Sequence, residues 1–133
     1  MRVFELPEAE RVVVGAVGPP GQRVFYIQAR QGLRLVTMKV EKAHVAELSA
    51  RLALLLADVP GVDPSPAGDE SLETPVEADF VVGTLSISFD EVSRRVLLVA
   101  EELTGEGEAG VVARIGATFD QIAALARRGA ELV

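Results

Sequence analysis

The chain has 133 residues, 49% of them hydrophobic and 25% charged, with a net charge of −7 and no cysteine. That size and balance suit one globular domain with its own core, spanning 1–133, and the lack of cysteine excludes disulfides, thiolate metal sites and a cysteine nucleophile. The negative charge argues against nucleic acid as the main partner. No long apolar run marks a membrane span and no basic-then-apolar leader follows Met1, so the expectation is a cytoplasmic chain without a membrane partner.

Arg11–Val17 (Arg-Val-Val-Val-Gly-Ala-Val) is rich in β-branched residues and predicts a strand. Gly18-Pro19-Pro20-Gly21 breaks it as a turn, since proline fixes φ and glycine permits positive φ. Arg23–Arg30 and Leu33–Val40 predict two more strands, separated by Gln31-Gly32. Connections this short imply antiparallel pairing. A helix follows, because Val45, Leu48, Leu52, Leu55, Leu56 and Val59 recur at steps of three and four. Pro60-Gly61 ends it.

Residues 60–74 carry Pro64, Pro66, Gly68 and several acids, with little to bury, and predict an exposed linker. From Asp58 to Asp79 lie Asp58, Asp63, Asp69, Glu70, Glu73, Glu77 and Asp79, with no Lys or Arg. These acids account for the whole net charge of −7 and leave 13 acids against 13 bases elsewhere. The acidity therefore belongs to the joint, and the low isoelectric point does not describe the rest of the chain.

Phe80–Phe89 predicts a half-buried strand, with Leu85, Ile87 and Phe89 on one face and Thr84, Ser86 and Ser88 on the other. Arg95–Leu103 and Val111–Ile115 predict the next two strands. A last helix starts near Thr118, a suitable N-cap, with Phe119, Ile122, Ala126, Ala130 and Val133 as its stripe. Pro7 and Val13-Val14-Gly15 match Pro75 and Val81-Val82-Gly83 at one constant offset, and element order repeats after each. The expected fold class is α+β: two pseudo-repeats, 1–59 and 75–133, each of three antiparallel strands plus a helix. They form an antiparallel sheet with both helices packed on one face. Phe25, Ile27, Leu85, Ile87, Phe89, Leu97 and Val99 would point inward.

From Gly18 to Arg30 (Gly-Pro-Pro-Gly-Gln-Arg-Val-Phe-Tyr-Ile-Gln-Ala-Arg) the sequence resembles an uncharacterised bacterial family, domain of unknown function 3090. Glu41-Lys42-Ala43-His44-Val45 and Val82-Gly83-Thr84-Leu85 are similar to the same family's pattern. The resemblance implies no established activity. Members often end in a cysteine- and histidine-containing segment that looks like a zinc ribbon, and the absence of cysteine here means that the resemblance implies no metal. Element order alone is similar to that of the Whirly and purine-rich-element-binding proteins, which implies a sheet able to hold single-stranded nucleic acid.

No residue pattern predicts catalysis. Gly15, Gly18 and Gly21 lack the Gly-Lys-Ser/Thr of a phosphate loop. His44, the only histidine, has no second ligand and reads as a helix residue. Ser86 and Ser88 lie mid-strand without a nucleophile elbow, and Glu101 and Glu102 point to opposite faces. The candidate binding residues are Tyr26, Gln28, Arg30, Ser86 and Ser88 on one polar sheet face, where a ring, an amide and a guanidinium could stack on and hydrogen-bond a peptide or a base. A solvated face or a dimer interface would show the same residues. The leading reading is a non-enzymatic binding or adaptor module that needs no cofactor and binds a protein partner or a second copy of itself as a homodimer. Single-stranded nucleic-acid binding on the same face, and an enzyme with a site between the halves, are the alternatives. On this reading Arg30 faces solvent and Asp63–Glu73 is dispensable for folding.

Overall fold

The computed structural model describes residues 2–65 and 68–133. Its elements in chain order are β1 (Val3–Leu6), β2 (Arg11–Val17), β3 (Val24–Gln31), β4 (Arg34–Val40), α1 (Lys42–Leu56), β5 (Phe80–Asp90), β6 (Arg95–Glu102), β7 (Val112–Ala117) and α2 (Phe119–Leu132). The α+β class, both helices and six of these strands follow the sequence pattern; β1 does not. It is four residues long and stops at Pro7, too short to show any periodicity.

The strands form one seven-stranded sheet in the order β1-β7-β6-β5-β4-β3-β2. The sheet is mixed, which corrects the expected all-antiparallel pairing. The β2/β3, β3/β4, β5/β6 and β6/β7 pairs are antiparallel, while β1/β7 and β4/β5 are parallel. Hairpin logic fixes only strands joined by short turns. α1 and the acidic segment intervene between β4 and β5, and a long crossover of this kind permits a parallel neighbour.

The two ends of the sheet, β1 and β2, are consecutive in the chain, with only Pro7–Glu10 between them. Ala9 N–H donates to Gly116 O just before the end of β7 at 3.0 Å, and Glu10 N–H donates to Arg30 O on β3 at 2.8 Å. Successive amides thus reach opposite ends of the sheet, so the sheet curls until those ends meet. Phe4 of β1 stacks on Phe80 at the head of β5, with ring centroids 6.4 Å apart. Curling of this kind protects edges that would otherwise template aggregation.

The inner face is continuous and apolar. Val14, Ile27 and Met38 are cross-strand neighbours, as are Ile87, Leu98 and Ile115. Ile27, Met38, Leu98 and Ile115 are fully buried. On β6 the inward residues are Val96, Leu98 and Ala100, not Leu97 and Val99. The run Leu97-Leu98-Val99 is apolar on both faces, so it carries no phase, and the partner strand decides it.

Both helices contribute to the same core: Val45, Leu48 and Leu52 from α1, and Ile122, Leu125 and Ala126 from α2. α2 packs on β2 and on α1. The helices meet where α2 has Gly129, and a Cβ there would fall on Ser49 Oγ and lie 3.3 Å from Val45 Cγ1. Thr118 caps α2 as expected, accepting from Gln121 N–H at 3.2 Å. The Gln121 side chain accepts from Thr118 N–H at 2.8 Å and donates to Ala9 O at 2.9 Å, which ties the helix start to the β1–β2 crossover. No helix among the described residues is long and apolar enough to cross a membrane.

Candidate functional site

Alternation along β2, β3 and β4 sends Val12, Val14, Phe25, Ile27, Ala29, Val36 and Met38 inward. It sends Arg11, Val13, Gly15, Tyr26, Gln28, Arg30 and Thr37 to the other face. A polar strand face normally ends in water. Here it does not, because residues 69–79 of the acidic segment run across it.

Glu73 is the centre of that contact. Gln28, only 1% exposed, treats the Glu73 peptide unit as a neighbouring strand would. Gln28 Oε1 accepts from Glu73 N–H at 2.7 Å, and Gln28 Nε2 donates to Glu73 O at 3.1 Å. The second Nε2 hydrogen goes to Thr37 Oγ1 at 3.1 Å. The Glu73 carboxylate meets Arg30 in a fork: Arg30 Nε donates at 2.8 Å to Oε2 and Nη2 at 2.7 Å to Oε1. This planar two-point geometry is the one for which arginine is suited. Arg11 Nη1 adds a second cation 3.7 Å from Oε2.

The residues before Glu73 are held as firmly. Arg11 donates to the carbonyls of Asp69, at 2.6 Å, and of Ser71. Leu72 occupies the space over Gly15, where a Cβ would come within 2.6 Å of Leu72 Cγ. Farther back, Arg127 of α2 grips both oxygens of Glu70 at 2.8 Å, and Asp63 N–H donates to Asp120 Oδ1 at 2.9 Å. Beyond Glu73, Asp79 pairs with the Thr37 backbone through its N–H at 2.7 Å and its carboxylate at 2.8 Å. The expected exposed linker is therefore a strap. Its acids face arginines on β2, β3 and α2, and Arg30 is engaged by the chain itself rather than turned to solvent. Pro66 of that linker lies outside the described residues.

The Arg30 hydrogen bonds and charge, with a smaller contribution from Arg11, hold the Glu73 carboxyl below the usual glutamate value of 4.5, against a desolvation that pushes it up. A carboxylate lowered in the folded state stabilises it fully above its ordinary value, and that contribution is lost as pH falls through the lowered one. Carboxyl NMR titration of Glu73 should therefore give a midpoint below 4.5, and in Arg30→Gln the midpoint should rise toward 4.5. Equal midpoints in the two proteins would show that the fork does not hold Glu73.

The five residues marked by the sequence do not form one site. Gln28 and Arg30 lie under the strap, and Tyr26 is half-buried beside Lys39 and Gly15 in register. Ser86 and Ser88 are exposed, on β5, opposite Val99 and Leu97. β5 pairs with β4 only at Phe80 and Val81 and then continues along β6, so the serines leave the vicinity of Gln28. The strap residues Leu72 and Glu73, with Arg11 and Thr37, were not singled out by sequence. One signal pointed there: a glycine inside a strand marks close approach by another segment, and Gly15 is that glycine.

The remaining constellations make local contacts. His44 Nδ1 accepts from Glu41 N–H at 3.1 Å and closes the first turn of α1. Glu102 Oε1 accepts from Val111 N–H at 3.0 Å, while Glu101 is exposed. No cluster of three or more His, Cys, Asp or Glu side chains among the described residues could hold a metal ion.

Fold and site together define an α+β protein in which a polar network joins the outer face of β2, β3 and β4 to the chain's own residues 69–79. The model of the family described as "Protein of unknown function (DUF3090)" matches residues 4–133, and the chain belongs to that family. No curated protein and no solved structure matches the chain.

Proposed function

We propose that this protein is a non-enzymatic binding module that captures an acidic peptide segment on the outer face of β2, β3 and β4, and that its own residues 69–73 occupy the site in the state described. The observation that carries this reading is the three-way reading of Glu73: carboxylate by Arg30, N–H and C=O by Gln28. Side-chain and backbone recognition of one residue, beside a small socket for Leu72, is the chemistry of peptide capture rather than of a plain turn. A carboxylate on the arginines leaves them unavailable to phosphates, and one half-buried tyrosine is a poor stacking platform. Both points weigh against single-stranded nucleic acid on this face.

The test is a peptide spanning Asp69–Thr74, labelled and titrated by anisotropy. The intact chain should bind it weakly, because an internal segment competes at high effective concentration. A Leu72→Ala/Glu73→Ala variant should bind it at least about tenfold more tightly, and adding Arg30→Gln should abolish the gain. A folded variant that binds no peptide would show that the strap is structural only. Exchange of straps between two copies would give the homodimer, which sedentation at increasing concentration of the same variant would reveal as a concentration-dependent shift.

We also infer that the two halves share an ancestral unit. β2-β3-β4-α1 and β5-β6-β7-α2 have the same element order, and Gly15 and Gly83 occupy corresponding places against Leu72 and Leu103. In this reading 1–133 is one domain, worked by both halves in the cytoplasm.

A further inference from the structure

Most cations of this chain are engaged. Arg11, Arg30 and Arg127 hold the strap. Arg34 and Arg95 donate to the carbonyls of Glu5 and Gly116. Arg51, Arg114 and Arg128 face Glu47, Glu5 and Glu131, and Arg2 lies over the Phe4 ring. Among the described residues, Arg23, Lys39, Lys42 and Arg94 have neither an ion pair nor a side-chain hydrogen bond. Three of these four, Arg23, Lys39 and Lys42, line one cavity of about 610 Å³ between the turn after β2, the end of β4 and the start of α1.

Three exposed cations without an ion pair around one concavity raise its local positive potential and favour an anionic visitor. The lining includes one acid, Glu41, so the wall carries a net charge of about +2, close to the opposite of a phosphate monoester at neutral pH. The apolar side chains open to the cavity are Pro20, Val24 and Leu132, while Phe25 and Val40 at its floor belong to the core. The volume lies in the range of roughly 300–1,000 Å³ typical of small-molecule sites. Three cations in a pocket neutralise too few phosphates to hold a nucleic-acid strand to an otherwise acidic protein.

We propose that this cavity is a binding site for a small phosphate monoester with an apolar or aromatic body: Arg23, Lys39 and Lys42 take the phosphate, and the accessible Pro20, Val24 and Leu132 take the body. The site is separate from the strap and does not depend on the reading of that face.

The probe is phenyl phosphate, titrated into the full chain at low salt and followed by amide NMR and calorimetry, with inorganic phosphate and a ten-residue oligothymidylate in parallel. The expected result is saturable binding of phenyl phosphate with a dissociation constant below about 1 mM. Shifts should centre on Val24, Phe25 and Val40, and inorganic phosphate should bind more weakly. Lys39→Gln/Lys42→Gln should weaken binding about tenfold or more without moving the melting temperature, because both side chains lie at the surface. Arg30→Gln should leave it unchanged, which separates this site from the strap. No saturation by about 10 mM phenyl phosphate, equal binding by the double variant, or tighter binding of the oligonucleotide at the same residues would each overturn the assignment.

Discussion

Replacing Gln28 by Ala is expected to cost about 2–4 kcal/mol of unfolding free energy and to lower the melting temperature by roughly 10 °C. The side chain is 1% exposed, and its amide satisfies three partners: the N–H and C=O of Glu73 and the hydroxyl of Thr37. Truncation leaves those groups half-buried without partners, and an unsatisfied buried polar group costs about 1–3 kcal/mol. Ser88→Ala, on the exposed outer face of β5, should change stability by no more than about 0.5 kcal/mol. Thermal unfolding of both variants checks the contrast. A Gln28→Ala protein that melts within about 2 °C of the parent would mean that water replaces the amide without loss.

Gly129→Leu is expected to cost about 3 kcal/mol or more, through overpacking at the α1–α2 contact. The first carbon of any side chain at 129 would meet Ser49 Oγ and come within 3.3 Å of Val45, and both neighbours are buried. The remaining Leu atoms then have to part the helices, which share the core with β2. Adding Ser49→Gly should recover part of the loss, and a double-mutant cycle by denaturant unfolding measures the coupling. Additive costs would place the damage elsewhere.

These two positions show where the sequence was legible. Helix stripes, the Thr118 cap and the hairpins are local patterns, and each appears within a few residues of its expected place. Gln28 was visible as a polar residue on a strand but could not be placed under a cover, because its partner lies 45 residues away in a stretch that resembles a linker. Pro, Gly and acid content makes that stretch look solvent-borne. What holds it down is charge complementarity with Arg11, Arg30 and Arg127, which no local window contains. The parallel β4/β5 and β1/β7 pairs were hidden for the same reason: both join segments far apart in sequence. Ser86 and Ser88 are polar and exposed, yet alternation says nothing about which neighbour a long strand will follow.

The crossover at Pro7–Glu10 also bears on when the molecule can be finished. Val3–Leu6 pairs with Val112–Ile115, so β1 is synthesised long before β7, its sheet partner among the described residues. Until then Phe4 and Leu6 have no strand beside β1 to shield them, whatever β2, β3 and β4 have already built. Contacts between residues so distant in sequence are slow to form, because loop closure precedes any stabilising contact. Closing the sheet is therefore a late event in the life of the nascent chain, and the interval before it is when this protein is most exposed to self-association.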